Sequence, residues 1–271
     1  MTSPLISAAE LRDRLPEVTV LDVRYRMGGP PGRREYDAGH VPLAVYVDLD
    51  TDLAGPPGAR GRHPLPEPEV FGAAMRRAGV RADRPVVVYD DWAGHAAGRA
   101  WWLLRHHGHR DVRVLDGGWS AWREEGGPVQ ASTPRVPEGD FVPGPGVLPV
   151  VEADRLLEVP VVVDARAAER YRGEVEPVDP VAGHVPGAVN VPTSTNLGAD
   201  GRFRSPEQLR ALYEAAGVPT DASREVAVYC GSGVTATHDL IALELLGVTA
   251  TLYPGSWSEW VADPERPVET G

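Results

Sequence analysis

The one cysteine of this 271-residue chain, Cys230, opens the run Cys230-Gly231-Ser232-Gly233-Val234-Thr235. Gly231 and Gly233 permit a tight backbone that turns several N–H groups inward, and Ser232 and Thr235 offer hydroxyl donors. An anion at the centre of such a loop is stabilised. Here that anion is the cysteine's own thiolate, the form that attacks electrophilic sulfur. The plain alternative is a buried strand-end thiol, because free cysteine is among the most buried residue types. A structural thiol needs no Gly-Ser-Gly cradle, which favours the chemical reading. With one cysteine there is no intrachain disulfide, and a resolving thiol must come from another molecule.

The elements that position this loop are legible on either side of it. Residues 225–229 read as a buried strand, and 235–246, with Leu240, Ile241, Leu243 and Leu245, read as a helix. Cys230 therefore ends a strand and opens a loop into a helix N-terminus, whose positive end favours negative charge.

The same arrangement occurs twice. Residues 18–24 match 161–166, the Ala-Gly-His-Val-Pro of 38–42 matches that of 182–186, 85–90 matches 225–230, and 116–122 matches 253–260, all in one order. Proline-rich sequence from Gly126 to Pro149 separates the halves and has linker composition. We expect an α/β protein of two tandem domains, residues 1–127 and 148–271, joined by a linker at 128–147. Each should be a mainly parallel sheet with helices on both faces. Ser7 with Glu10 and Ser205 with Gln208 mark helix starts, and Gly79, Gly217 and Gly247 mark helix ends.

Composition narrows the partners. The formal charge is -12, from 39 acidic and 27 basic residues, and no basic stripe stands out. Nucleic acid and anionic membranes are thus disfavoured, and an anionic substrate must be held by local groups. No run approaches the roughly 18 to 20 apolar residues of a membrane span. The N-terminal stretch lacks a basic start followed by an apolar core, so a cytoplasmic location is expected. His106, His107 and His109 come without cysteine or spaced carboxylates and read as a solvated helix end, so neither metal nor cofactor is expected. His40 and His184 recur in both halves, which argues for a structural tie from imidazole to backbone.

These motifs resemble the tandem rhodanese family, from about Val18 to Trp260. The resemblance implies two rhodanese-like domains, the second carrying the active cysteine. Asp90 stands at the cysteine position of the first; a carboxylate inside an anion-cradling loop should be unfavourable, and that half should be inactive. The intact loop from Cys230 to Thr235 is similar to that of 3-mercaptopyruvate sulfurtransferases, whereas thiosulfate-specific members place basic residues there. The implied activity is sulfur transfer from 3-mercaptopyruvate or thiosulfate to cyanide, a small thiol or a thioredoxin-like acceptor through a Cys230 persulfide. A monomer acting on a small anionic donor is expected.

The resemblance also implies site residues. Arg170 would hold the donor carboxylate by a two-pronged hydrogen bond, and Gly231, Gly233, Val234 and Thr235 would line the donor. Asp50 and His63 would reach from the first domain to the cysteine loop, where Cys230, Ser232 and Asp50 would form a relay: Ser232 passes a proton between substrate and carboxylate, and His63 helps orient or charge the set. From their types alone Asp50 and His63 would be ordinary loop residues. Two departures stand out. The second substrate arginine of such enzymes is missing from 174–180, with Arg172 as the available substitute, and His95 stands where a tyrosine is common. Two other classes compete. A cysteine phosphatase needs an arginine six residues after the cysteine, and here Ala236 occupies that place. A non-catalytic module would normally lack the cysteine.

Overall fold

The Val-rich runs become the central strands of two all-parallel sheets in the computed structural model, which describes residues 3–271. In the first unit β1 (Leu5–Ile6), β2 (Thr19–Asp22), β3 (Val45–Tyr46), β4 (Val86–Tyr89) and β5 (Val112–Leu115) take the order β1-β5-β4-β2-β3. In the second, β6 (Val161–Asp164), β7 (Val189–Asn190), β8 (Val226–Tyr229) and β9 (Thr251–Leu252) run β7-β6-β8-β9. The two orders agree, and a single parallel bridge from Val150 to Leu252 takes the place of β1. Register agrees as well: Asp22 lies beside Tyr89 and Asp164 beside Tyr229.

Every residue of β4, β6 and β8 is buried, as expected of parallel strands covered on both faces. One core gathers Leu11, Val20, Val87, Tyr89 and Trp122, and the other Leu156, Val162, Tyr229, Trp257 and Trp260. Each large apolar side chain so buried contributes about 1.5–3 kcal/mol. The helix after the cysteine loop spans Ala236–Leu245 and is buried from Ala236 to Leu243, including its polar residues Thr237, His238 and Asp239. Ser205 and Gln208 form the reciprocal capping box, and the Ser7 hydroxyl accepts from the Glu10 N–H at 3.1 Å. Gly79, Gly217 and Gly247 follow their helices with φ of 78, 81 and 80°.

The units are not the two halves of the sequence. The first comprises the residues up to Gly55 with Pro66–Val147, and the second comprises Pro56–Leu65 with Leu148–Gly271. The proline-rich stretch 128–147 lies along the first unit: Gln130 exchanges backbone hydrogen bonds with His40 at 2.8 and 3.0 Å, and Phe141 is buried edge-on to Phe71.

His40 and His184 have the structural role their repetition suggests. Their Nδ1 atoms meet the carbonyls of Tyr36 and Tyr171 at 2.8 and 2.7 Å, and each ring stacks on the tyrosine it ties. The expected solvated histidine cluster is corrected: His107 and His109 are buried, tied to the carbonyls of Gly144 and Arg81 at 3.1 and 3.0 Å. They close the end of the helix His95–His106 against neighbouring loops, so their imidazoles serve as backbone partners. Among the described residues no helix is long and apolar enough to cross a membrane.

Candidate active site

A buried cluster sets the end of β8. Asp164 takes a two-pronged contact from Arg166 (Nε 3.0 Å, Nη2 2.6 Å) and accepts from the Tyr229 hydroxyl at 2.6 Å. Arg166 also donates to the Gly183 carbonyl at 2.6 Å, and the Tyr229 hydroxyl accepts from the Val185 N–H at 3.0 Å. Burial, with Asp164 alongside, raises the Tyr229 hydroxyl well above its ordinary value, so Tyr229 stays a neutral donor. The first unit repeats the cluster with Asp22, Arg24, Tyr89 and Gly39. It is therefore scaffold, common to both loops, and it holds the residue just before Cys230.

Cys230 is only 1% exposed. The Gly233 N–H donates to its sulfur at 3.2 Å, and its own N–H donates to Ser256 Oγ at 3.1 Å. The Trp257 and Ser258 N–H groups close the loop from below, each 2.9 Å from the carbonyls of Cys230 and Gly231. Position 233 admits only glycine: φ is 76°, and a Cβ would lie 2.1 Å from the Pro254 carbonyl oxygen. Of the hydroxyls expected to serve the loop, Ser232 faces His63, and Thr235 makes no side-chain bond at the helix start.

Ser256 was not singled out by sequence reasoning. Its φ of 54° is left-handed, unusual for a residue with a Cβ. Its hydroxyl accepts the Cys230 N–H, donates to the Tyr253 carbonyl at 3.0 Å and lies 4.0 Å from the sulfur. The signal was present in the repeat, which pairs Ser256 with Gly118; Gly118 has nearly the same φ, 55°. The thiol-bearing half thus keeps a side chain where its counterpart has relaxed to glycine.

The segment Pro56–Leu65 brings two further side chains to the loop. His63 Nδ1 lies 2.7 Å from Ser232 Oγ, within hydrogen-bonding distance. The Arg62 N–H donates to Ser258 Oγ at 3.1 Å, which seats the segment on the turn beneath Cys230. Arg170 approaches the same loop and pairs with Glu176 at 2.6 Å and Asp179 at 3.3 Å. Arg172 does not replace a missing arginine: it is 44% exposed and pairs with Glu174 at 2.8 Å. Asp50 belongs to the first unit, in the short helix Leu49–Asp52 capped by Asp48. Val234, within the loop, is buried.

The corresponding loop of the first unit corrects an expectation. The Asp90 carboxylate is not ill-placed there: it accepts the N–H groups of Trp92, Gly94 and Ala97 at 2.8, 2.8 and 2.9 Å. Burial raises its carboxyl above the ordinary range, with these amides opposing that shift. The cradle suits an anion, as the physics of such loops requires, and Asp90 fills it from within. The amides that converge on that loop's centre are thus taken by a carboxylate of the chain itself.

Two copies of one parallel α/β domain, one loop holding a thiol and the other a carboxylate, define a tandem protein with a single thiol centre. The rhodanese-like domain family matches residues 7–125 and 150–263, and the chain belongs to that family. It is 46% identical over 284 residues to a Pseudomonas aeruginosa protein named probable 3-mercaptopyruvate sulfurtransferase, covering 100% of this chain and 99% of that one. It is 36% identical to the thiosulfate sulfurtransferase of Rattus norvegicus, covering 94% and 90%. The crystal structure of SseA from Escherichia coli, of the 3-mercaptopyruvate sulfotransferases, superposes with a TM-score of 0.83 at 34% identity, covering 95% of this chain and 100% of that one.

Proposed function

We propose that this chain is a sulfurtransferase that takes a sulfur atom from 3-mercaptopyruvate, with thiosulfate as the competing donor, and carries it as a persulfide on Cys230. Sulfurtransferases of both names match it over nearly the full length of both chains. The observation that carries the mechanism is the Cys230 sulfur held in its loop by the Gly233 N–H, with His63 hydrogen-bonded to Ser232 of the same loop.

In the loading step the Cys230 thiolate attacks the donor sulfur and the carbon–sulfur bond breaks. Its electron pair goes to the carbon as the enolate of pyruvate. The proton of the donor thiol is then delivered to that carbon, which releases pyruvate and leaves a persulfide anion. Ser232 is the group suited to pass this proton, with His63 Nδ1 as the base that holds it. In the second step cyanide or a thiolate attacks the outer sulfur and Cys230 leaves as the thiolate. A cytoplasmic setting, where small thiols are kept reduced, suits a chain whose one cysteine is free.

The test supplies 3-mercaptopyruvate and thiosulfate separately, with cyanide as acceptor, and compares thiocyanate formation. A strong preference for thiosulfate overturns the donor and leaves the carrier mechanism standing. Intact mass should show one added sulfur after loading and none in Cys230→Ser; sulfur retained by that variant would overturn the carrier.

A further inference from the structure

Two guanidinium groups, rather than one, stand at the mouth of the cysteine loop. A Cβ placed on Gly231 would fall 2.9 Å from Arg62 Nη2 and 3.5 and 3.7 Å from the Arg170 Nη1 and Nη2 atoms. Both arginines meet one carboxylate: Arg62 pairs with Asp179 Oδ1, and Arg170 Nη2 lies 3.3 Å from Asp179 Oδ2. We propose that Arg62 and Arg170 together form the clamp for the donor's carboxylate, and that Asp179 occupies this clamp until the donor displaces it.

Three observations carry this. The first is that Arg62 Nε is buried and has no hydrogen-bond partner among the described residues, a donor left over at the loop's edge. The second is the difference between the two acids facing the arginines. Glu176 takes 2.6 and 3.1 Å contacts from Arg170 and two backbone N–H bonds of 3.0 Å from Val178 and Asp179. Burial opposes its charge, yet these bonds prevail and hold its carboxyl below the ordinary range. Among the described residues the Asp179 carboxylate has the arginines alone, and burial pushes its carboxyl up. Glu176 is the permanent partner; Asp179 is the one that can yield. The third is chemical: Asp179 presents to the pair the same planar anion that an α-keto acid carries, and two guanidinium forks suit such a group.

The proposal rests on Cys230 as the sulfur carrier but can be read without turnover. Pyruvate binding is measured by calorimetry on the Cys230→Ser chain, with melting temperature as the check on folding. Arg62→Ala should weaken pyruvate about tenfold or more, as expected for loss of a charge-assisted contact, and Arg62→Lys should fall between. Pyruvamide, which has no carboxylate, should bind weakly and respond little to Arg62→Ala. Asp179→Asn should tighten pyruvate about severalfold, because the competing carboxylate is gone. If Arg62 only pinned its segment, Asp179→Asn would loosen it and weaken pyruvate. That result, or pyruvate affinity unmoved by Arg62→Ala, overturns the clamp. A chain of unaltered sequence that forms no thiocyanate from either donor overturns the carrier reading instead.

Discussion

The left-handed Ser256 separates two roles that usually travel together. Its backbone conformation costs about 1–2 kcal/mol relative to glycine, while its hydroxyl satisfies the buried Cys230 N–H. Ser256→Ala keeps the cost and orphans that donor, a loss of about 1–3 kcal/mol. Ser256→Gly orphans the same donor but relaxes the backbone, as Gly118 does at the matching position. The glycine variant should therefore be about 1 kcal/mol more stable than the alanine variant, read from urea midpoints at equal slope. Activity should follow the hydroxyl instead: both variants lose the group that pins Cys230 and should lose thiocyanate formation to the same extent. Alanine as stable as glycine would refute the strain, and full activity in either variant would refute the positioning role.

Other consequences can be measured alongside. His63→Ala and Ser232→Ala should each slow sulfur loading by about 100-fold, and the double variant should be little worse than either, because the 2.7 Å pair acts as a unit; additive losses would show independent roles. Asp90→Asn should turn an N–H donor toward the Ala97 N–H and cost about 1–3 kcal/mol, while sulfur uptake stays at one atom per chain by intact mass. Burial holds the His95 imidazole down at about 4, from an ordinary 6.5. The unfolded chain therefore binds the proton first as pH falls, and stability should drop by up to about 3 kcal/mol between pH 6.5 and 4. His95→Gln should remove that part of the slope, and an unchanged slope would sink the assignment.

The sequence alone determined the repeat, the parallel strands and the place of Cys230 between a strand and a helix, because these depend on residue periodicity and on glycine at positions that tolerate nothing else. It also showed that His40 and His184 were structural, since one motif served both a thiol-bearing and a thiol-free half. What it could not determine were meetings between residues far apart in the chain. Arg62 and His63 lie near the middle of the first half by sequence, yet the segment Pro56–Leu65 belongs to the second unit, beside Cys230. Arg172 looked as suitable a donor ligand as any arginine until its neighbour Glu174 was seen to hold it at the surface. Asp90 looked misplaced until three amides were found pointing at it. Local pattern specifies backbone conformation; which charges face one another depends on where loops of different origin come to rest, and only the tertiary structure decided that.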